Sequence, residues 1–210
     1  MAHPRPFWER LNDEFPFGDP APVPTLPPEL LALGPYHSIE SLEPFHGRGQ
    51  RLELVDGELL VTWRVTLEHQ RLLGKLLIAL SDYAEEDPAL YAIMNVWAEA
   101  PPDTLVLPDI LVLPRAIART DDPWPLSALC FVAEVIDPDS IRADRFTKRA
   151  RYQRAGIDTC WVVDPLRELV EAWTPGAAAP VEMREEARWR APGRDHDLVV
   201  DLPALFHPRA

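Results

Sequence analysis

Two apolar runs, each broken by one carboxylate, constrain the fold of this chain most: Leu105-Val-Leu-Pro-Asp-Ile-Leu-Val-Leu113 and Leu129-Cys-Phe-Val-Ala-Glu-Val-Ile136. Short near-continuous apolar runs of this kind read as strands buried on both faces. Each run carries an acid, Asp109 or Glu134, that would be strongly destabilising there unless a cation or hydrogen-bond donors met it. Any fold for this chain must therefore bury a sheet and also provide for the charges inside it.

The flanking pattern supplies the other layers. Arg51 to Thr62 holds two apolar runs about Asp56-Gly57, the signature of a tight hairpin. From Thr66, a plausible N-cap, Leu72, Leu73, Leu76, Leu77 and Leu80 recur at helical spacing, predicting a long amphipathic helix with Glu68 and His69 in its first turn. Tyr91 to Ala98 reads as one strand and Leu105 to Leu113 as a second, punctuated by Pro108. Ala143 to Ala155 reads as a helix stopped by Gly156, and Thr159 to Val163 with Leu169 to Trp173 as a strand pair around Asp164-Pro165. A short strand near Leu198 to Val200 and a turn over Leu202 to Phe206 close the chain. This order predicts an α/β (α+β) fold, a mixed sheet with helices packed against it. The expected division is a Pro-rich arm over 1–35, tied down by Phe7, Trp8, Phe15 and Phe17, and one domain over 36–210.

Composition narrows the function. A net charge of -13 argues against a protein that coats nucleic acid non-specifically, so any polyanion contact must be local. One stretch breaks the acidic pattern: Arg142, Arg145, Lys148, Arg149, Arg151 and Arg154 crowd together, relieved only by Asp144. These could contact phosphates, although a solvated helix face predicts the same sequence. No apolar run approaches the roughly 18 residues of a membrane-spanning helix, and the N-terminus lacks the apolar stretch of a signal peptide. Cys130 and Cys160 lie in apolar runs and read as reduced, buried core thiols, so a cytoplasmic location is expected.

One buried carboxylate is explained by a salt bridge or a strand edge. Two on successive strands favour a shared divalent metal, and carboxylates with backbone carbonyls and water form the oxygen donor set of Mg²⁺. The expected metal positions are Asp109, Glu134 and Ile136, with Mn²⁺ as a possible substitute. Ile136 has only its backbone carbonyl to offer. No His/Cys spacing suits zinc, and no Gly-rich phosphate loop occurs at a strand-to-helix junction.

The order Pro108-Asp109, then Ala133-Glu-Val-Ile136 followed by Pro138, then Asp144-Arg-Phe-Thr-Lys148 through Tyr152 to Gly156, resembles the Uma-two family of putative restriction endonucleases, within the PD-(D/E)xK nuclease superfamily. The resemblance also takes in the Glu53-to-Glu58 hairpin, His69 and Trp161-Val-Val-Asp164-Pro165, running from about Ser38 to Phe206. It implies a restriction-endonuclease-like core of four or five strands, Asp109 and Glu134 as metal ligands, and Lys148 as the catalytic lysine. The expected activity is metal-dependent endonucleolytic cleavage of DNA by a homodimer. The alternatives are a degenerate binding or regulatory module on the nuclease fold, and a hydrolase of RNA. The chain departs from the superfamily's Glu-x-Lys, because Ile136 stands where the lysine falls, so the role passes to Lys148. There Asp144, four residues earlier, either steers the lysine toward Glu134 or merely pairs with it. Asp137 is an extra ligand or a mark of a drifted site. Glu58 and His69 match positions that could help hold metal or water, and equally read as a solvated hairpin acid and a helix-start histidine. Tyr152 and Trp161 are expected in the core with their polar atoms satisfied.

Overall fold

The C-terminal part of the first acid-bearing run and the second run lie side by side in the central sheet of the computed structural model, which describes residues 28–32, 34–45, 51–62, 66–119, 123–138 and 140–207. The chain divides into two units, residues 1–32 and 33–210. In the first, the short helix α1 (Pro28–Leu31) is described. The aromatic anchors expected in the arm lie outside the described residues, and all that follows concerns the second unit.

Six strands form the central sheet: β3 (Leu90–Met94), β6 (Ile110–Pro114), β8 (Phe131–Val135), β9 (Thr159–Asp164), β10 (Leu169–Trp173) and β11 (Val181–Met183), in the order β11-β10-β9-β8-β6-β3. All neighbours are antiparallel except β8 and β9, whose parallel pairing requires a crossover. Side chains of period two separate the faces. Ile110, Val112, Phe131, Ala133, Val135, Trp161 and Val163 enter one buried cluster. Leu111, Leu113, Val132, Cys160 and Val162 enter the other.

The first face is covered by the long helix α3 (Leu67–Glu85), through Leu72, Leu73, Leu76 and Leu80. Its N-cap is Thr66, whose hydroxyl accepts from His69 N, as the sequence predicts. A hairpin of β12 (Glu186–Trp189) and β13 (Leu198–Asp201) joins this layer. Residues 202–206, expected to turn, instead form helix α5 (Leu202–Phe206), capped by the Asp201 carboxylate on Ala204 N.

The second face receives the crossover and a second sheet of order β2-β1-β5-β4-β7, made of β1 (Arg51–Val55), β2 (Glu58–Thr62), β4 (Ala98–Ala100), β5 (Thr104–Val106) and β7 (Trp124–Pro125). The β1–β2 hairpin turns at Asp56 and Gly57, which take φ of 51° and 80°. Ahead of β1 lies the short helix α2 (Ile39–Leu42), held by a Ser38–Ser41 capping box.

Four expectations are corrected. The run from Tyr91 to Ala98 is not one strand: Asn95 adopts φ 54° and sends β4 into the second sheet. Leu105 to Leu113 is likewise split into β5 and β6, because Pro108 lacks the N–H that a continuous ladder needs. The central sheet has six strands where four or five were expected. Cys130 is half-buried, just before β8, while Cys160 is buried as expected; both are free thiols. Among the described residues, no helix is long and apolar enough to cross a membrane.

Candidate active site

Antiparallel register brings the two strand carboxylates together. Ile110 pairs with Ala133, so Asp109 and Glu134 stand one residue further along adjoining chains. Each braces the other's strand: Val135 N donates to Asp109 Oδ2 (2.9 Å), and Asp109 N donates to Glu134 Oε2 (3.3 Å). Both are almost completely buried, at 4% and 1% exposure. By alternation from Phe131 and Ala133, Glu134 belongs to the second face, toward the crossover.

The crossover begins as a π-helical turn over Ala143–Lys148 and continues as the α-helix α4 (Arg149–Ala155), which Gly156 ends at φ 81°. The sequence reads the whole span as one helix. The wider first turn corrects that reading, and such turns are frequent at functional sites. Asp144, Lys148 and Tyr152, spaced by four, all turn inward and are buried. Lys148 Nζ lies 2.8 Å from Glu134 Oε1, 3.2 Å from Glu53 Oε1 and 3.3 Å from Asp144 Oδ1. Steering toward Glu134 and pairing with Asp144 thus occur together. The Tyr152 hydroxyl donates to Glu134 Oε1 at 2.5 Å.

Glu53, in the middle of β1, is the residue that sequence reasoning missed. It is 1% exposed, accepts from Leu107 N at 2.6 Å, and lies 3.4 Å from the Arg51 guanidinium. A detectable signal existed, since Glu53 sits between Leu52 and Leu54, and the cost of burying a carboxylate in an apolar strand applies to it as to Asp109 and Glu134. Glu58 stands exposed at the head of β2, opposite Val55, and is not among the groups gathered at Lys148. His69 is buried, with Nε2 3.6 Å from Asp109 Oδ1 and Nδ1 3.3 Å from Asp137 Oδ2. Asp137 accepts from both the Thr66 hydroxyl (2.6 Å) and Thr66 N (3.2 Å), tying the chain after β8 to the start of α3. Ile136 packs into the second cluster, and its N–H donates to Val163 O (3.0 Å). Beside it a cleft of about 200 Å³ opens between Thr66, Glu68, Asp137, Ile141 and Leu166.

The charges do not balance. With every group ionised, the carboxylates of Glu53, Asp109, Glu134 and Asp144 outnumber the cations Arg51 and Lys148 by two, an excess that a proton on Glu134 reduces. Burial pushes the Glu134 carboxyl up to about 8 against the pull of Lys148, with Asp144, Asp109 and Glu53 adding to the rise. Asp144 is also raised, by burial first. Burial alone would raise Glu53, but Lys148, Arg51 and the Leu107 amide together hold it below the usual range. Burial works against the charge on Lys148, yet Glu134, Glu53 and Asp144 outweigh it and raise the ammonium above its ordinary value. The lysine is thus held charged among acids, one of which takes up a proton readily.

Among the described residues, no three His, Cys, Asp or Glu side chains are grouped to hold a metal by themselves. The donor set is a pair of carboxylates in a cluster where acids outnumber cations. That suits a hard divalent ion completed by carbonyl oxygens and water. Of the basic residues nearby, Arg145 is engaged by Asp164 (2.6 Å) and Glu171 (3.2 Å), Arg154 and Arg151 by Asp56, and Arg149 lies over the Trp173 ring at 4.2 Å. Tyr152 has its hydroxyl satisfied, whereas the buried Trp161 Nε1 has no hydrogen-bond partner among the described residues, against expectation.

A solved structure described as a "putative nuclease belonging to DUF820" from Anabaena variabilis is similar to this one. Its TM-score is 0.68 at 13% sequence identity, covering 81% of this chain and 97% of that one. At that identity the likeness concerns the fold alone. No curated protein sequence matches the chain. The model of the Uma2 family, described as "Putative restriction endonuclease", matches residues 36–200, a span that contains every residue gathered around Lys148. The chain belongs to the Uma2 family.

Proposed function

We propose that the protein is a metal-dependent endonuclease that hydrolyses DNA phosphodiesters, with Asp109 and Glu134 holding Mg²⁺ and Lys148 as the catalytic cation. The observation that carries this reading is the buried gathering of four carboxylates against two cations, Arg51 and Lys148, an excess of acid that a divalent cation would neutralise in place of the proton on Glu134. When bound, such an ion lowers the pKa of a water and offsets charge on the phosphoryl oxygens. The chain's own residues do the rest. Val135 N and Asp109 N fix the two carboxylates on their strands. The Lys148 ammonium has three donors and no acceptor, and Glu134, Glu53 and Asp144 surround it. Drawing Glu134 away from Nζ frees a donor for a phosphoryl oxygen, where a compact ammonium stabilises the pentavalent state.

The test is incubation with supercoiled, linear, branched and single-stranded DNA, and with RNA, in Mg²⁺ or Mn²⁺. Cleavage of DNA lost in Asp109→Asn and Glu134→Gln is expected. Cleavage that ignores both substitutions, or none on any substrate, overturns the proposal, and cleavage of RNA alone moves the substrate to the other nucleic acid. A second reading, a degenerate binding module, is favoured by one observation: Lys148 Nζ already lies within 3.3 Å of three carboxylates, Glu134, Glu53 and Asp144, as in a structural ion cluster. Calorimetry separates the two, because a saturable Mn²⁺ site abolished by Asp109→Asn counts against the degenerate module. A homodimer, which would set two sites on a duplex, is tested by sedimentation.

A further inference from the structure

The catalytic lysine of this chain lies on a crossover helix, not on the strand beside Glu134, so something other than strand geometry must set its position. Glu53 has the contacts to do so. Its Oε1 accepts the Leu107 amide, two residues before Asp109, and lies within 3.2 Å of Lys148 Nζ. One oxygen therefore connects the segment that carries Asp109 to the ammonium that must work with it. Asp144 and Tyr152 stand on the same helical span as Lys148, and Glu134 is the group the lysine serves; among the described residues, Glu53 is the one that reaches Nζ from the second sheet. Arg51 on the same strand, 3.4 Å from Glu53 and 3.8 Å from Asp109, keeps that carboxylate charged and directed inward.

We propose that Glu53 is the positioning residue for Lys148, holding its ammonium in register with Asp109 and Glu134. Glu53 acts through the lysine and does not itself touch substrate. The choice of side chain agrees: of 21 basic residues only two, Lys75 and Lys148, are lysines. In a chain that otherwise uses arginine, a compact ammonium has been kept where three carboxylates close around it.

The role rests on the nuclease reading for its kinetic consequence but not for its structural one, and two measurements keep them apart. In ¹⁵N-labelled protein only two lysine ammonium signals exist, so Lys148 can be observed directly at fixed pH. In the unsubstituted protein its ammonium correlation is expected to be sharp and its Cε ordered. In Glu53→Gln, which retains an acceptor for Leu107 N but loses the charge, the signal broadens by exchange with water, and Glu53→Asp restores part of it. Cleavage by Glu53→Gln is expected to lose about 100-fold in kcat with KM within a few-fold, the cost of an ångström-scale misplacement. A disordered, rapidly exchanging Lys148 in the unsubstituted protein overturns the assignment even if no variant folds. A Glu53→Gln protein with both the ammonium signal and kcat of the parent overturns it equally. Absence of cleavage by the parent sinks the nuclease reading alone, leaving the spectroscopic arm to decide the role of Glu53.

Discussion

Lys148 shows what one buried cation does at the residue scale. It is 2% exposed and is shared by three carboxylates, so removing it strands several acids in a low-dielectric site. Lys148→Ala is expected to cost about 3 kcal/mol of stability at pH 8, by urea unfolding, and less at pH 5, where the stranded carboxyls can protonate. Glu134 has the opposite signature. Its carboxyl is raised from 4.5 to about 8 in the folded protein, so folding favours its protonated form. That contribution to stability is complete below about pH 4.5 and is lost as pH rises toward 8. A divalent ion competes with the same proton. Mn²⁺ affinity should therefore climb between pH 6 and 8 and level off above, with proton release measured by calorimetry in buffers of different ionisation enthalpy; a flat profile refutes it.

At the scale of elements, two glycines mark where backbone conformation, not side-chain chemistry, holds the site's framework. Gly156 ends α4 at φ 81°, with open space where a Cβ would stand. Gly156→Ala should cost about 1 kcal/mol in thermal unfolding, purely from conformation, with the ions around Lys148 undisturbed. Gly57 turns the hairpin that carries Glu53, and a Cβ there would run into the Tyr36 ring, which is itself bonded to Asp103 (2.7 Å). Gly57→Ala should therefore be the more damaging of the two, and should also lower cleavage by displacing β1. Equal melting temperatures for the two variants would contradict this. The hairpin and the Thr66 cap were legible in the sequence because both are local devices, decided within four residues. The split of 105–113 between two sheets was not, since apolar content is the same on either side of Pro108 and only the partner strands differ.

At the scale of the whole chain, the net charge is -13, and among the described residues near the site Arg145, Arg151 and Arg154 are paired with acids while Arg142 is exposed. Nucleic acid binding without a divalent ion should accordingly be weak. The slope of log K against log salt should correspond to no more than about three phosphate contacts, by fluorescence anisotropy. A steep slope would reveal a basic surface elsewhere in the chain. The two layers on either side of the central sheet divide the labour: α3 and the β12–β13 hairpin seal one face, while the crossover and the second sheet carry charged groups to the other.

What the sequence determined alone was the presence of costly acids in apolar strands, the helical spacing of Asp144 and Lys148, and the family order that linked them. Each is a property of neighbours along the chain, where apolar runs and four-residue spacing act directly. Tertiary structure decided which acids meet. Glu53 and Glu58 lie on the same hairpin, and although Leu52 and Leu54 mark Glu53 as the costlier acid, its partners follow from tertiary packing: β1 pairs with β5, Glu53 is buried against Leu107 and Lys148, and Glu58 is left in solvent. That choice depends on strands about fifty residues apart in the chain, and a charge is buried with partners or left solvated according to what such long-range packing places beside it.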